Sequence, residues 1–252
     1  MNRKVALVTG GAKGIGKQIA LALAKEGYDI ALNYRSAPEA ARELCAKLAA
    51  TGAVAEAFYA DMSRLSDIQE MIDRVYGVFG TLDLLVNNAG VSSEVYFLDA
   101  VEADFDSVTG VDWKGLYFCS QFAARRMIAQ GTKGVIINVT SNQVEGCWPR
   151  ATIYAPSKAA VTKFTKNAAM ELIPHGIRMA AIAPGYTDVG WEPGDIRLEA
   201  AGRLPLKRFA TTEEIAQGVV YLASDKADYI VGSTLTIDGG ATLPVVAAND
   251  FV

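Results

Sequence analysis

KVALVTGGAKGIG, residues 4–16, runs from a β-rich apolar segment through a cluster of glycines into a helical pattern that begins at Ile15. Gly10, Gly14 and Gly16 stand where the backbone must turn sharply, and without side chains they let main-chain amides approach an anion such as a pyrophosphate. The spacing is TGxxxGxG rather than GxGxxG. Many strand-to-helix turns need small residues, so the glycines alone decide little. Their place in a leading strand–turn–helix unit points to nucleotide binding.

The same alternation continues outward. After the first helix come DIALNY, a helical PEAARELCAKLAATG, VAEAFYA, a helix near LSDIQEMIDRVYGVFG, and LDLLVNN. A single helix is expected over DSVTGVDWKGLYFCSQFAARRMIAQ, then the strand GVIINVT, a helix from Tyr154 to about Ile173, IRMAAIAP, the helix TEEIAQGVVYLAS and a last strand STLTIDGG. Strands that read as nearly continuous apolar runs are buried on both faces. The expected fold is therefore α/β, a single-domain Rossmann fold: a doubly wound, mostly parallel seven-stranded sheet with helices on both faces. No repeat or break in composition marks a second domain, so residues 1–252 are read as one. The stretch at about 186–210 is long for a connection and is expected to cover a site.

The chain has 252 residues, of which 51% are hydrophobic, enough for a sizeable core. A net charge of -4 offers no basic footprint for nucleic acid, and no dense Lys/Arg run favours an anionic membrane. The apolar stretches are too short or interrupted to span a bilayer, and the opening MNRKVALVTG enters a strand pattern directly, so a cytoplasmic location is expected. Small-molecule partners are favoured. Cys45, Cys119 and Cys147 are odd in number and widely spaced, which predicts buried or inert thiols rather than disulfides or a zinc site. His175, the only histidine, sits in ELIPHGIR and is expected to be a solvated residue at a helix end. No metal-ligand spacing is found.

YAPSK, residues 154–158, sets a phenol and an ammonium one helical turn apart. Such a cation stabilises a phenolate and suits the phenol to proton transfer. An ordinary exposed helix start would have the same spacing, so the pair needs the rest of the chain.

Taken together, five motifs resemble the short-chain dehydrogenases/reductases over essentially the whole chain: Thr9 to Gly16, NNAG at 87–90, Ser141 standing 13 residues before Tyr154, YAPSK, and APG at 183–185. The resemblance implies an NADP(H)-dependent oxidoreductase that moves a hydride between the nicotinamide and a carbonyl or secondary alcohol. Tyr154 would exchange a proton with the substrate oxygen, Ser141 would orient that oxygen, and Lys158 would bind the nicotinamide ribose and stabilise the phenolate. It places the cofactor against Gly10, Lys13, Gly14, Ile15 and Gly16, against Tyr34 and Arg35, and against Asp61 and Met62. It also places Asn88, Ala89 and Gly90, Tyr154 and Lys158, and Pro184, Gly185 and Thr187 beside it.

Lys13 and Arg35, with no carboxylate at the end of the second strand, point to NADP(H) over NAD(H). Two positions depart from the family pattern. Asp112, in VDWKG, stands where the family has a catalytic asparagine, and as a buried carboxylate it would need a cation such as Lys158, unless it faces solvent or a subunit neighbour. Val189 stands where a threonine is common, with Thr187 nearby as a partial replacement. Resemblance extends to 3-oxoacyl-carrier-protein reductases and, through VEGCWPR and DGGATL, to sugar (glucose-type) 1-dehydrogenases. Trp148 and Trp191 either line a pocket or pack loops. The two departures also keep open a cofactor-binding regulatory protein with impaired turnover. Family members usually form dimers or tetramers, and a homo-oligomer is expected here.

Overall fold

The structure is a computed structural model that describes residues 3–192, 194–195 and 199–243. Seven parallel strands form one sheet in the order β3-β2-β1-β4-β5-β6-β9. They are β1 (Lys4–Val8), β2 (Tyr28–Tyr34), β3 (Ala55–Tyr59), β4 (Leu84–Asn87), β5 (Val135–Val139), β6 (Arg178–Pro184) and β9 (Thr234–Ile237). The chain first builds outward from β1 to β3 and then returns to lay β4 on the other side of β1, with Val8 facing Leu32 on one flank and Val86 on the other. That reversal opens a crevice at the carboxyl ends of β1 and β4, where α/β sheets place their ligands.

Burial on both faces explains the apolar strands. Along β1 successive side chains point to opposite faces, so Ala6 and Val8 join one core cluster while Val5 and Leu7 join the other. The first cluster is closed by α1 (Gly14–Lys25), α2 (Pro38–Ala49) and the last helix, α7 (Thr212–Ala223), through Ile19, Leu23, Leu44, Leu48 and Val219. The second is closed by α3 (Leu65–Phe79), α5 (Leu116–Gln130) and α6 (Tyr154–Leu172), through Ile68, Ile72, Val75, Cys119, Met127 and Ala169.

The single helix expected after NNAG is interrupted. A short α4 (Glu102–Thr109) passes into a π-helical turn, Gly110–Gly115, before α5 begins. At Gly115 the bare α-carbon lies against the Met62 carbonyl with no room for a Cβ, a close approach that periodicity does not announce. Widened turns of this kind cluster at functional sites, and this one contains Asp112.

Helix starts differ in a way that bears on the site. At α7, Thr211 and Glu214 form a reciprocal capping box, and Arg208 grips the Glu214 carboxylate at 2.6 and 2.8 Å. At α1, Lys13 occupies the cap position without a side-chain hydrogen bond, so the leading N–H groups of the helix are left for another acceptor. The stretch from 186 to 210 is pinned at both ends by two short strands, β7 (Thr187–Asp188) and β8 (Ala210–Thr211), paired in parallel.

His175 is exposed in a 3₁₀ turn after α6, followed by Gly176 in the left-handed region, as expected. Set against the expectation of buried or inert thiols, all three cysteines are free: burial pushes the Cys119 thiol up to about 12 and also raises Cys45, whereas Cys147 is exposed. Among the described residues no helix is long and apolar enough to cross a membrane, and no His/Cys/Asp/Glu group could hold a metal.

Candidate functional site

The glycine turn is braced from β2 and β4. Asn33, buried at the end of β2, accepts from the Gly10 N–H at 3.0 Å through its side chain and from the Gly11 N–H at 2.9 Å through its backbone carbonyl. Its amide also donates to the Ala60 carbonyl at 3.2 Å, tying β3 into the same joint. Thr9 Oγ1 accepts from the Asn88 and Ala89 N–H groups, both at 3.0 Å, and the Asn88 side chain donates back to the Thr9 carbonyl at 2.9 Å. Gly10 has a φ of 61°, and a Cβ there or at Gly16 would strike Ala89 or Asn88. Asn33 escaped the sequence reading, although an asparagine inside the apolar run DIALNY was a usable signal.

At the far edge of the turn, Lys13 and Arg35 are exposed and Tyr34 packs edge-on to Tyr59 at 6.0 Å. Burial would raise the Asp61 carboxyl, but hydrogen bonds from the Ser63 N–H and hydroxyl, followed by the charge of Arg35, outweigh it and hold the group below its ordinary value. Met62 is buried beside it.

Across the crevice, Tyr154 opens α6 and Lys158 follows one turn later, its Nζ 5.5 Å from the centre of the Tyr154 ring. Lys158 is 3% exposed, and its ammonium donates to the Val139 carbonyl at 3.2 Å and pairs with Asp112 Oδ2 at 3.0 Å. Asp112 is fully buried, and its other oxygen accepts from the Val91 N–H at 2.7 Å. Burial alone would pull the Lys158 ammonium down; the Asp112 carboxylate, with Tyr154 adding to it, more than compensates, so the group ends above its ordinary value. Gly90 makes the arrangement possible, because a Cβ there would come within 3.1 Å of Asp112 and 3.4 Å of Lys158. Asp112 thus faces inward on a buried cation, not solvent.

Behind these groups runs a chain of buried hydrogen bonds that periodicity could not reveal. Asn87 donates to Ser120 Oγ at 2.8 Å and to Asn138 Oδ1 at 2.9 Å, and Asn138 donates to Thr165 Oγ1 at 2.9 Å. The chain clamps β4, β5, α5 and α6 together, fixing the elements that carry Ser141, Tyr154 and Lys158.

Ser141, Tyr154, Lys158, Asn88, Gly90, Ile15, Pro184, Gly185 and Thr187 all line one cleft of about 700 Å³. Ser141 follows β5, and its Oγ accepts from the Gln143 N–H at 3.2 Å, so its own hydrogen stays available to donate. Gly185 packs flat on Asp238, and Thr187 Oγ1 donates to the Gly185 carbonyl at 3.0 Å. Val189 reaches back over the glycine turn, 3.7 Å from where a Cβ on Gly14 would lie. A second groove of similar volume shares Ser141 but runs toward Met170 and Thr234, and it contains neither Tyr154 nor Lys158.

The outer wall of the cleft is aromatic. Trp148 Nε1 donates to Tyr186 Oη at 2.6 Å, Tyr186 stacks on Phe209 with ring centres 5.5 Å apart, and Trp191 meets Phe209 edge-on at 5.3 Å. Both tryptophans therefore line the cleft and pack its loops at once. At the mouth Arg150, with a φ of 63°, lies 3.9 Å from Glu94 and over the Tyr96 ring.

A nicotinamide dinucleotide suits these residues. The turn is a cradle that side chains at Gly10 or Gly16 would fill, the start of α1 has uncapped N–H groups for a pyrophosphate, and the cleft leads from there to Tyr154 and Ser141.

Residues 10–242 match the family model described as enoyl-(acyl carrier protein) reductase. The chain is 38% identical over 240 residues to the 3-oxoacyl-[acyl-carrier-protein] reductase FabG of Staphylococcus epidermidis, covering 94% of this chain and 98% of that protein. Acetoin dehydrogenase YohF from Salmonella typhimurium superimposes with a TM-score of 0.91 at 37% identity, over 98% of this chain and 99% of that one. A short chain dehydrogenase from Burkholderia cenocepacia in complex with NADP gives 0.89 at 35% identity, over 94% and 97%.

Proposed function

Since the chain belongs to the short-chain dehydrogenase/reductase family, and so is an oxidoreductase acting on alcohol or ketone substrates with a nicotinamide cofactor, we propose that its cleft is an NADP(H)-preferring site for reducing a carbonyl. The observation that carries this reading is the convergence of Ser141, Tyr154 and the buried Lys158 on one cleft. The bound cofactor supplies the hydride. Hydride arrival at a carbonyl carbon builds negative charge on its oxygen, and the Ser141 and Tyr154 hydroxyls are donors for that charge. Tyr154 gives up its proton to the oxygen, and the Lys158 ammonium stabilises the phenolate left behind. Lys158 would also hold the nicotinamide ribose.

Asp112 does not line the cleft and acts through Lys158 as a positioning residue, holding the ammonium in place by charge and fixing its own orientation through the Val91 N–H. The departure from asparagine therefore gives no support to a protein with impaired turnover. Of the covering segment expected at about 186–210, Tyr186, Thr187, Val189, Trp191 and Ala200 line the cleft, while residues 193 and 196–198 lie outside the described residues. The named relatives reduce a 3-oxoacyl thioester or act on acetoin, and ketones of either kind are the substrates to try first. Following nicotinamide absorbance with NADPH over a panel of ketones, hydroxyketones and acyl thioesters, and with NADP+ over a panel of sugars, tests the reading. Failure to turn over any ketone or thioester, with sugars oxidised instead, would overturn it.

Cofactor preference makes a separate prediction. Lys13 and Arg35 are exposed at the adenosine end, with no carboxylate at the end of the second strand to oppose a 2'-phosphate. A charge-assisted contact contributes about 1.5 to 3 kcal/mol. Replacing both by alanine is expected to weaken NADPH binding by about a hundredfold or more while leaving NADH nearly unchanged. Titrating both nucleotides into both proteins measures it, and a wild type that already prefers NADH sinks the assignment.

A further inference from the structure

We propose that Gln143 and Ser93 recognise a second oxygen on the substrate, so that the enzyme selects carbonyl compounds carrying another hydroxyl or carbonyl within a few bonds of the reacting one. The proposal rests on the carbonyl-reductase reading above.

Buried polar atoms in folded proteins nearly always have partners. Gln143 Oε1 and Ser93 Oγ are buried without one, and both residues line the cleft that holds Ser141, Tyr154 and Lys158. The other unpartnered side-chain atoms have other settings: Asp112 Oδ2 faces the Lys158 ammonium, Arg3 Nε faces Asp29, and Tyr76, Asn87, Arg178 and Thr234 lie outside this cleft.

The two atoms come from separate parts of the chain. Ser93 lies in the loop after β4, whereas Gln143 sits in the 3₁₀ turn Asn142–Val144 that follows β5. The Gln143 N–H is bonded to Ser141 Oγ at 3.2 Å. The hydroxyl that faces the reacting carbonyl and the unpaired amide therefore belong to one short turn, which sets a second subsite close to the first. A primary amide and a hydroxyl can each donate or accept, so together they complement either a hydroxyl or a carbonyl. A simple ketone would leave both unpaired. Trp148, Tyr186 and Trp191 offer apolar surface to the carbon skeleton between them.

The test uses Gln143→Leu, close in size but unable to hydrogen-bond, and Ser93→Ala, with three probes: butanone, diacetyl, and ethyl acetoacetate. These carry no second carbonyl, one on the next carbon, and one, in an ester, a carbon further away. A site built around a hydrogen bond discriminates strongly against a partner that lacks it. In both variants kcat/KM is expected to fall at least about tenfold for whichever oxygenated probe the wild type prefers, while butanone stays within about twofold. Butanone turnover is thus an internal control for folding, and comparing each probe across proteins removes the intrinsic reactivity of the diketone. Equal losses on all three probes, or no loss, would overturn the proposal. So would a raised cofactor Kd in the variants, because the two atoms would then belong to the cofactor.

Quenching of the cleft tryptophans gives a second readout that needs no turnover. If the wild type reduces no carbonyl at all, the reductase reading fails by itself. Tighter binding of an oxygenated probe that disappears in Gln143→Leu would still support the subsite, and its absence would remove it.

Discussion

Changing Tyr154 to phenylalanine is expected to lower kcat by roughly two to four orders of magnitude while NADPH binding stays within a few fold. The substitution removes one oxygen and keeps the ring, which is only half-buried, so the start of α6 and the 5.5 Å contact with Lys158 are preserved. What disappears is the proton that must reach the substrate oxygen as charge builds there. The loss corresponds to about 3 to 5 kcal/mol of transition-state stabilisation. Stopped-flow hydride transfer beside a fluorescence titration of the nucleotide separates the two effects. Activity retained within a few fold would remove Tyr154 from the chemistry, and a parallel collapse of nucleotide binding would assign it a structural role instead.

The second large effect is expected at Asp112. Removing one partner of a buried ion pair leaves the other charge uncompensated, at a cost of about 3 to 5 kcal/mol, so Asp112→Ala should unfold at markedly lower urea. Asp112→Asn keeps the shape and an acceptor for the Val91 N–H but loses the charge. Burial, the largest influence on Lys158, then acts without its main opponent, and the ammonium should give up its proton at lower pH. The alkaline limb of kcat/KM should therefore move to lower pH in Asp112→Asn, a shift that a purely structural role would not produce.

Stability follows the same sign. A lysine held above its ordinary value contributes stability that is fully present below that value and is lost as pH rises through the folded one. The gap between wild type and Asp112→Asn should then be widest where Lys158 is charged in both proteins and shrink as pH rises, first through the lowered value in the variant and then through the raised value in the wild type. Urea titrations across that rise, with circular dichroism as the folding control, measure it. Superimposable pH–rate profiles would show that Asp112 has no part in the proton chemistry.

Strand and helix order was legible in the sequence because each element carries its own local signal. VALV, LLVN and RMAAIAP are nearly continuous apolar runs, buried at every position since both faces of the sheet are covered, and TTEE carries the cap of the last helix. The glycine turn was legible too, because close backbone approach excludes side chains whatever the rest of the fold does. The partners of Asn33, and of the buried line from Ser120 through Asn87 and Asn138 to Thr165, were not. Each bond in that line joins residues at least 27 positions apart, and nothing in the surrounding pattern specifies the partner.

What the sequence by itself determined is the alternating parallel architecture, the turn at Gly10 to Gly16, the family, and the spacing of Ser141, Tyr154 and Lys158. Only the tertiary structure decided which way Asp112 faces. A regular helix of 3.6 residues per turn assigns each position a face, but the π-helical turn at Gly110–Gly115 breaks that period. The orientation was set instead by contacts from distant elements: Met62 against Gly115, the bare α-carbon of Gly90, and the ammonium of Lys158. The same holds for the aromatic wall and the unpaired atoms of Ser93 and Gln143, which share one cleft because separate loops converge at the carboxyl ends of the strands. Periodicity reports what a residue does within its own element, whereas a site is made where elements meet.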